Sequence, residues 1–183
     1  MAKIILGLAA ELAGGKGTVA KYIVEKHSGN SHRFSTMLRD VMDRLYIEQN
    51  RENIQKLSTI IRQNFGEDTL AKVMFEDVKR DEHAIIAIDG VRRPADIKYL
   101  KTLPEFKLVF IDTSLENRYE RIVKRGENTD DKTKTLDQFK RDNDGEADIL
   151  IRDLKAEADF VVDNNGTMED LYAQIDKIIE EIK

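Results

Sequence analysis

Apolar positions along this chain fall into two rhythms that alternate from one end to the other. Residues 3–8, 83–89 and 106–112 are continuous apolar runs, too short for helices and rich in β-branched side chains, as strands covered on both faces require. Weaker strand signals stand at residues 33–35 and 159–163. Residues 18–25, 36–46, 52–64, 69–81, 115–125 and 167–182 instead space their apolar side chains as helices do. In the last of these, Leu171, Ile175, Ile178, Ile179 and Ile182 mark one face, with Thr167 as N-cap and Asp170 three residues on. Strands alternating with helices predict right-handed crossovers and an α/β fold, about five parallel strands with helices on both faces. On such sheets ligands bind beyond the carboxyl ends of the strands.

The 183 residues suit a single domain. Its core is expected from residues 1–35, 82–125 and 149–183. Residues 36–81 hold more helix than a simple crossover needs and are expected to form a substrate-binding cap. Residues 126–148, rich in Asp, Lys, Asn and Thr, read as a mobile lid.

Composition narrows the function classes. No segment nears the roughly 20 apolar residues of a membrane span. The first apolar run is short and is followed by Glu11 and Lys16, unlike a signal peptide. With no cysteine, disulfides and thiolate metal sites are excluded, and a cytoplasmic location is expected. His27, His32 and His83 lack metal-ligand spacing and read as surface residues. A net charge of −5 argues against nucleic-acid and membrane-surface partners. Yet the arginines gather after strand ends: Arg92 and Arg93 behind one, Arg118, Arg121 and Arg125 behind another, with Arg141 and Arg152 further on. That placement suggests a focused site for a small polyanion, in a monomer or homodimer.

The candidate chemistry begins at Gly7-Leu-Ala-Ala-Glu-Leu-Ala-Gly-Gly-Lys-Gly-Thr18, where a strand runs into a glycine-rich turn and then a helix. Gly14, Gly15 and Gly17 permit the tight path that turns amides around an anion. The helix start adds its positive dipole end, and Lys16 can follow the β- and γ-phosphates. Measured against G-x-x-x-x-G-K-[ST], Ala10 replaces the first glycine and Gly17 replaces the Ser/Thr, with Thr18 next. A Cβ at Ala10 would be strained if that position needs positive φ. Asp89 closes a buried strand, where it can orient magnesium near the phosphates or simply cap the turn with Gly90.

Gly-Lys-Gly-Thr resembles the loop of adenylate kinase and other nucleoside monophosphate kinases. Asp89-Gly-Val-Arg-Arg-Pro94 resembles their Asp-Gly-x-x-Arg turn, whose arginine holds the acceptor phosphate, and also the Asp-Gly-x-Arg of archaeal kinases related to adenylate kinase. The first alignment nominates Arg93 and the second Arg92. Residues 158–171, with Ala-Asp-Phe-Val-Val-Asp-Asn-Asn-Gly, resemble the tail of dephospho-coenzyme A kinase that lies beside the adenine base. Over nearly its full length the chain thus resembles the P-loop nucleotide kinase superfamily.

The resemblance implies ATP and Mg2+ as cofactors and small nucleotides as partners. Ala13, Gly14, Gly15, Lys16, Gly17 and Thr18 would hold the donor phosphates, Asp89 and Thr18 the magnesium, directly or through water, and Asn164, Asn165 and Gly166 the base. Asn-Gly also favours turns without any ligand. Arg39, Arg62 and Arg92 or Arg93 would meet the acceptor, and Arg121, Arg125 and Arg141 would close over the transferring group, with Arg152 behind them. Each of these arginines equally suits a solvated face. Because Asp-Gly-Val-Arg-Arg replaces the Asp-Val-Pro-Leu-Leu of dephospho-coenzyme A kinase, a (deoxy)nucleoside monophosphate ranks first as acceptor. A hydroxyl acceptor would need a base, for which Asp112 or Glu11 is available. A non-kinase module that binds or slowly hydrolyses ATP is the alternative from another class.

Overall fold

The computed structural model describes residues 3–125, 135–143 and 146–183, and the Arg51 and Arg125 side chains and those of residues 142–149 fall outside the description. Five strands form one parallel sheet: β1 (Ile4–Ala9), β2 (Asn30–Arg33), β3 (Ile85–Val91), β4 (Phe106–Asp112) and β5 (Phe160–Asp163), in spatial order β2-β3-β1-β4-β5. The α/β expectation holds. Helices α1 (Lys16–His27), α2 (Phe34–Arg44), α3 (Arg51–Phe65), α4 (Thr69–Arg80), α5 (Pro94–Ile97), α6 (Leu115–Arg125), α7 (Leu136–Asn143), α8 (Glu146–Glu157) and α9 (Met168–Ile182) make the connections.

Alternation within each strand builds two apolar layers. Ile5 of β1, Ile86 and Ile88 of β3, and Leu108 and Phe110 of β4 face α2, α4 and α8. Ile4, Leu6 and Leu8, with Val109 and Ile111, face α1 and α9 on the other side. Burial on both faces explains why the central strands read as unbroken apolar runs. The seat of α9 is fixed as expected, with Thr167 and Asp170 forming a capping box.

The bounds of β2 are corrected, and three other segments gain detail. β2 spans the polar segment Asn30–Arg33 rather than residues 33–35, because it is an edge strand bonded only to β3 and Phe34 already starts α2. Part of the cap belongs to the core: α4 buries Leu70, Met74 and Val78 in the same layer as Ile86 and Ile88. The short α5 and the long α8 are additional helices. Within the stretch expected as a lid, α7 is a helix docked by Phe139, whose buried ring lies 5.7 Å from the Arg118 guanidinium and 5.9 Å from the Tyr119 ring. Residues 126–134 and 144–145 of that stretch lie outside the described residues.

With β1 central and its neighbours β3 and β4 connected in opposite directions, the crevice beyond β1 is where such a sheet places a ligand. The glycine loop fills that position.

Candidate functional site

Residues 10–15 link β1 to α1 and fold as a tight turn, with the Gly14 amide donating to the Glu11 carbonyl at 3.0 Å. Ala10 is not in a left-handed conformation; that place falls to Ala13, at φ 59°. The strain expected at residue 10 is therefore carried three positions later, at a cost on the order of 1 kcal/mol. The Ala10 methyl is buried in the α1–α9 layer. It fits because residue 14 has no side chain: a Cβ there would stand 2.7 Å from the Ala10 Cβ. The missing glycine at 10 and the present one at 14 are thus one packing solution.

Gly15 has φ 104°, and a Cβ on it would collide with Asn164 Nδ2. Gly15 also caps α1, which carries no side-chain cap, leaving the first-turn amides to an external partner. The Gly14 carbonyl accepts from the Thr113 hydroxyl at 3.0 Å and from Asn164 Nδ2 at 2.9 Å. A trans peptide holds its N–H opposite its C=O. Pinning that carbonyl to β4 and β5 therefore turns the Gly15 amide away from this wall, the direction a bound anion needs. Lys16 Nζ bends back over the loop to the Ala10 carbonyl at 2.6 Å and the Glu11 carbonyl at 3.2 Å.

Behind the wall stand the arginines of α6. Arg121 Nη2 donates to the Asn164 carbonyl at 2.8 Å, and burial lowers the pKa of its guanidinium. Arg118 is buried, with Nε on the Thr113 carbonyl at 3.1 Å and Nη2 3.0 Å from Glu11 Oε2. Arg152 Nε takes the other Glu11 oxygen at 3.0 Å. Arg118 and Thr113 are thus structural partners of the loop that sequence reasoning left unassigned. A hydroxyl directly after a strand-ending Asp was the only available signal for Thr113.

On the other side of the loop an open cleft of about 490 Å³ runs along α1. Gly17, Lys21, Glu25, Ser31, Arg33, Thr36, Arg39 and Asp89 supply its polar lining. Asp89 is buried two residues before the end of β3, and Arg33, its register partner on β2, places Nε and Nη2 each 2.8 Å from Asp89 Oδ2. Arg33 is a functional candidate the sequence reading missed, because it was read as the first residue of β2 rather than the last, where it stands beside Asp89. Arg39 reaches Gln49 Oε1 at 2.9 Å, and Gln49 in turn bonds Asp43. Thr18 sits half-buried in the first turn of α1.

The remaining candidates divide. Arg62 is corrected: it is buried, pairs with Asp96 Oδ1 at 3.0 Å and the Glu67 carbonyl at 2.6 Å, and is not part of the cleft lining. Asp96 Oδ2 accepts the amides of Arg92 and Arg93 at 3.0 and 3.1 Å, so this buried carboxylate shapes the turn after β3. Arg93 reaches Glu67 at 3.4 Å and Arg92 is exposed; neither lines the cleft.

The Asn164 side chain, expected beside a base, is spent on the Gly14 carbonyl. Asn165 Oδ1 accepts from the Ser114 amide at 2.8 Å, while Gly166 is exposed just ahead of α9. Arg141 is exposed on α7, and the Arg125 side chain lies outside the described residues. Asp112 pairs with Lys155 at 2.7 Å.

A family model described as an AAA domain matches residues 7–166. A UPF0200 protein of Sulfurisphaera tokodaii is 26% identical over 179 residues, covering 97% of this chain and 97% of its own. One from Thermococcus kodakarensis is 28% identical over 173 residues, with 92% of each chain covered. Among solved structures, TT1252 from Thermus thermophilus has a TM-score of 0.62 at 14% identity, covering 100% of both chains. Shikimate kinase from Acinetobacter baumannii, in complex with shikimate, has a TM-score of 0.59 at 17% identity, covering 99% of this chain and 95% of that one. With the sheet order and glycine loop above, these likenesses show a P-loop kinase fold.

Proposed function

The chain belongs to the AAA-domain family matched over residues 7–166, and from that premise we propose that it is a Mg-ATP-dependent phosphotransferase acting on a nucleoside or deoxynucleoside monophosphate. The observation that carries this reading is the cleft beside Gly17. In a chain of net charge −5, it gathers three cations, Lys21, Arg33 and Arg39, against two carboxylates, Glu25 and Asp89. Asp89 is already bound by Arg33, and Glu25 lies 3.6 Å from Lys21, so Arg39 carries the excess positive charge of the lining. Such a lining suits an anionic acceptor.

An acceptor phosphate is an ionised nucleophile and needs no general base. The two carboxylates considered as a base for a hydroxyl acceptor, Glu11 and Asp112, lie outside the cleft lining, Glu11 between Arg118 and Arg152 and Asp112 beside Lys155. That favours a phosphate acceptor over the ribose hydroxyl of dephospho-coenzyme A.

In this mechanism the Gly15 amide and the first-turn amides of α1 receive the donor phosphates. Lys16 exchanges its two carbonyl partners for phosphate oxygens, a gain in charge complementarity. Asp89 and the Thr18 hydroxyl offer the oxygen donors that Mg2+ prefers when substrate phosphates and water complete its shell. Held by these residues, a magnesium ion would supply positive charge to the substrate phosphates. Arg39 would hold the acceptor, and Arg121 and Arg141, with Arg125 at the end of α6, would supply positive charge from the α6–α7 side if that side closes over the site. The work of the protein is positioning and electrostatics.

An acceptor screen tests the proposal. Labelled ATP with Mg2+ is offered the ribo- and deoxyribonucleoside monophosphates, dephospho-coenzyme A and shikimate. Transfer to a monophosphate is expected. Preferred transfer to either hydroxyl acceptor overturns the ranking, and ATP binding without transfer to any acceptor supports a regulatory module instead.

A further inference from the structure

Arg33 occupies an unusual position between two chemistries. The parallel register of β2 and β3 sets it beside Asp89, and both of its bonds converge on Oδ2, at 2.8 Å each. The carboxylate is the buried member of the pair, its side chain 10% exposed, whereas that of Arg33 is 56% exposed. The guanidinium also abuts the first turn of α1, since a Cβ on Gly17 would lie 3.7 Å from Arg33 Nη2. It shares its cleft with Ser31, Thr36 and Arg39.

We infer that Arg33 is a ligand for the acceptor's phosphate monoester that is stored on Asp89, so that a divalent cation at Asp89 and a phosphate monoester in the cleft strengthen each other's binding. The inference rests on the kinase reading above for the identity of the two ligands. Its physical basis is local. Arg33 is half-exposed and can swing away, but the buried Asp89 then needs another cation to balance its charge, which couples the two events. A phosphate offers the same guanidinium more charge and a bidentate geometry. A cation held by Asp89 would compete with Arg33 for that carboxylate and would disfavour the guanidinium beside it. Each ligand thus favours the released arginine, and linkage makes the coupling reciprocal. Arg39 beside it supplies a second cation to the same phosphate.

The exchange is read by nitrogen-15 NMR of the Arg33 Nε–H and by calorimetry, with AMP, inorganic phosphate and Mg2+ as the probes. The resonance should move on addition of either anion, and at lower anion concentration once Mg2+ is present. Arg33→Gln should weaken AMP binding about tenfold or more and abolish the effect of Mg2+ on it, with Arg33→Lys in between. A resonance unmoved by both anions overturns the inference, as does AMP binding with the same affinity and Mg2+ dependence in Arg33→Gln and wild type. Circular dichroism of both variants reports folding separately. If the acceptor screen finds no transfer but Arg33 responds as described, the kinase reading fails and this site stands. Transfer with an unresponsive Arg33 removes this inference alone.

Discussion

On the flank built by β4, α6 and β5, the polar groups that reach the glycine loop are buried and committed, whereas on the flank built by β2, α2 and β3 they are largely exposed and exchangeable. Thr113, Arg118 and Asn164 are all buried, and each bonds a backbone carbonyl of the loop or of its neighbour. Across the loop, Arg33 and Arg39 reach side chains, Asp89 and Gln49, that a ligand can displace. On the function proposed above, the difference follows from what each flank would do. Amides that cradle an anion lose value if they must reorganise on binding, so their carbonyls are fixed beforehand. A site that admits, orients and releases an acceptor needs contacts that break at little cost.

Breaking the comparison at its centre has the largest expected effect. Lys16→Ala should reduce phosphoryl transfer on the order of 10³-fold while leaving the circular dichroism spectrum unchanged, because the carbonyls it contacts are backbone groups of an otherwise braced loop. Unchanged turnover would sink the assignment of the loop. On the committed flank, Arg118→Ala removes one guanidinium from the Glu11 carboxylate and should lower stability by about 3 kcal/mol in urea denaturation. Asn164→Ala removes one of the two donors to the Gly14 carbonyl and should cost about 1–3 kcal/mol. It should also weaken ATP binding with no change in AMP binding, since only the donor side of the loop is loosened. Equal losses for both nucleotides would show that the flanks are not separable.

The contrast also explains what the sequence could reveal. Residues 106–112 are legible because a central parallel strand is apolar on both faces, and the observed β4 coincides with the expected run. β2 hides at the edge, where Asn30, Ser31, His32 and Arg33 alternate between half-buried and exposed. α7 hides because its apolar residues, Leu136 and Phe139, are few among charges.

The loop itself could be found from its glycines, and Asp89 from its place at a strand end. The partners of the loop could not, because Thr113 and Asn164 act through tertiary contacts with Gly14, 99 and 150 residues away in sequence. Arg62 illustrates the converse. Its charge suggested a ligand, but the fold spends it on Asp96, whose other oxygen organises the Arg92–Arg93 turn. Sequence shows which residues carry charge; burial decides whether that charge faces a ligand or the protein.

The smallest expected effect concerns how far the fixed side extends along α1. Toward its C-terminal end, the Tyr22 hydroxyl donates to both Asp176 oxygens of α9 at 2.9 Å, and its ring stacks on Tyr172 at 3.9 Å between centroids. His27 Nε2 lies 2.7 Å from the same carboxylate. Burial of the phenol, then its hydrogen bond to Asp176 and the charge of that carboxylate, push the Tyr22 pKa up from 10.0 to about 12. The folded state therefore keeps the proton that the unfolded state releases. This contribution is fully present below pH 10, declines as pH rises from 10 to 12, and is gone above that.

Urea denaturation of wild type and Tyr22→Phe across this range separates the contribution from lysine titration common to both. The wild type should lose the greater stability between pH 10 and 12, and the two curves should converge. Parallel curves would mean that the seam does not hold the phenol neutral. AMP binding near neutral pH should be the same in both proteins, because the seam braces α1 through α9 while the acceptor flank lies across the helix from it. A changed AMP affinity would mean that the brace reaches the exchangeable flank, and that the two sides of the loop are mechanically one.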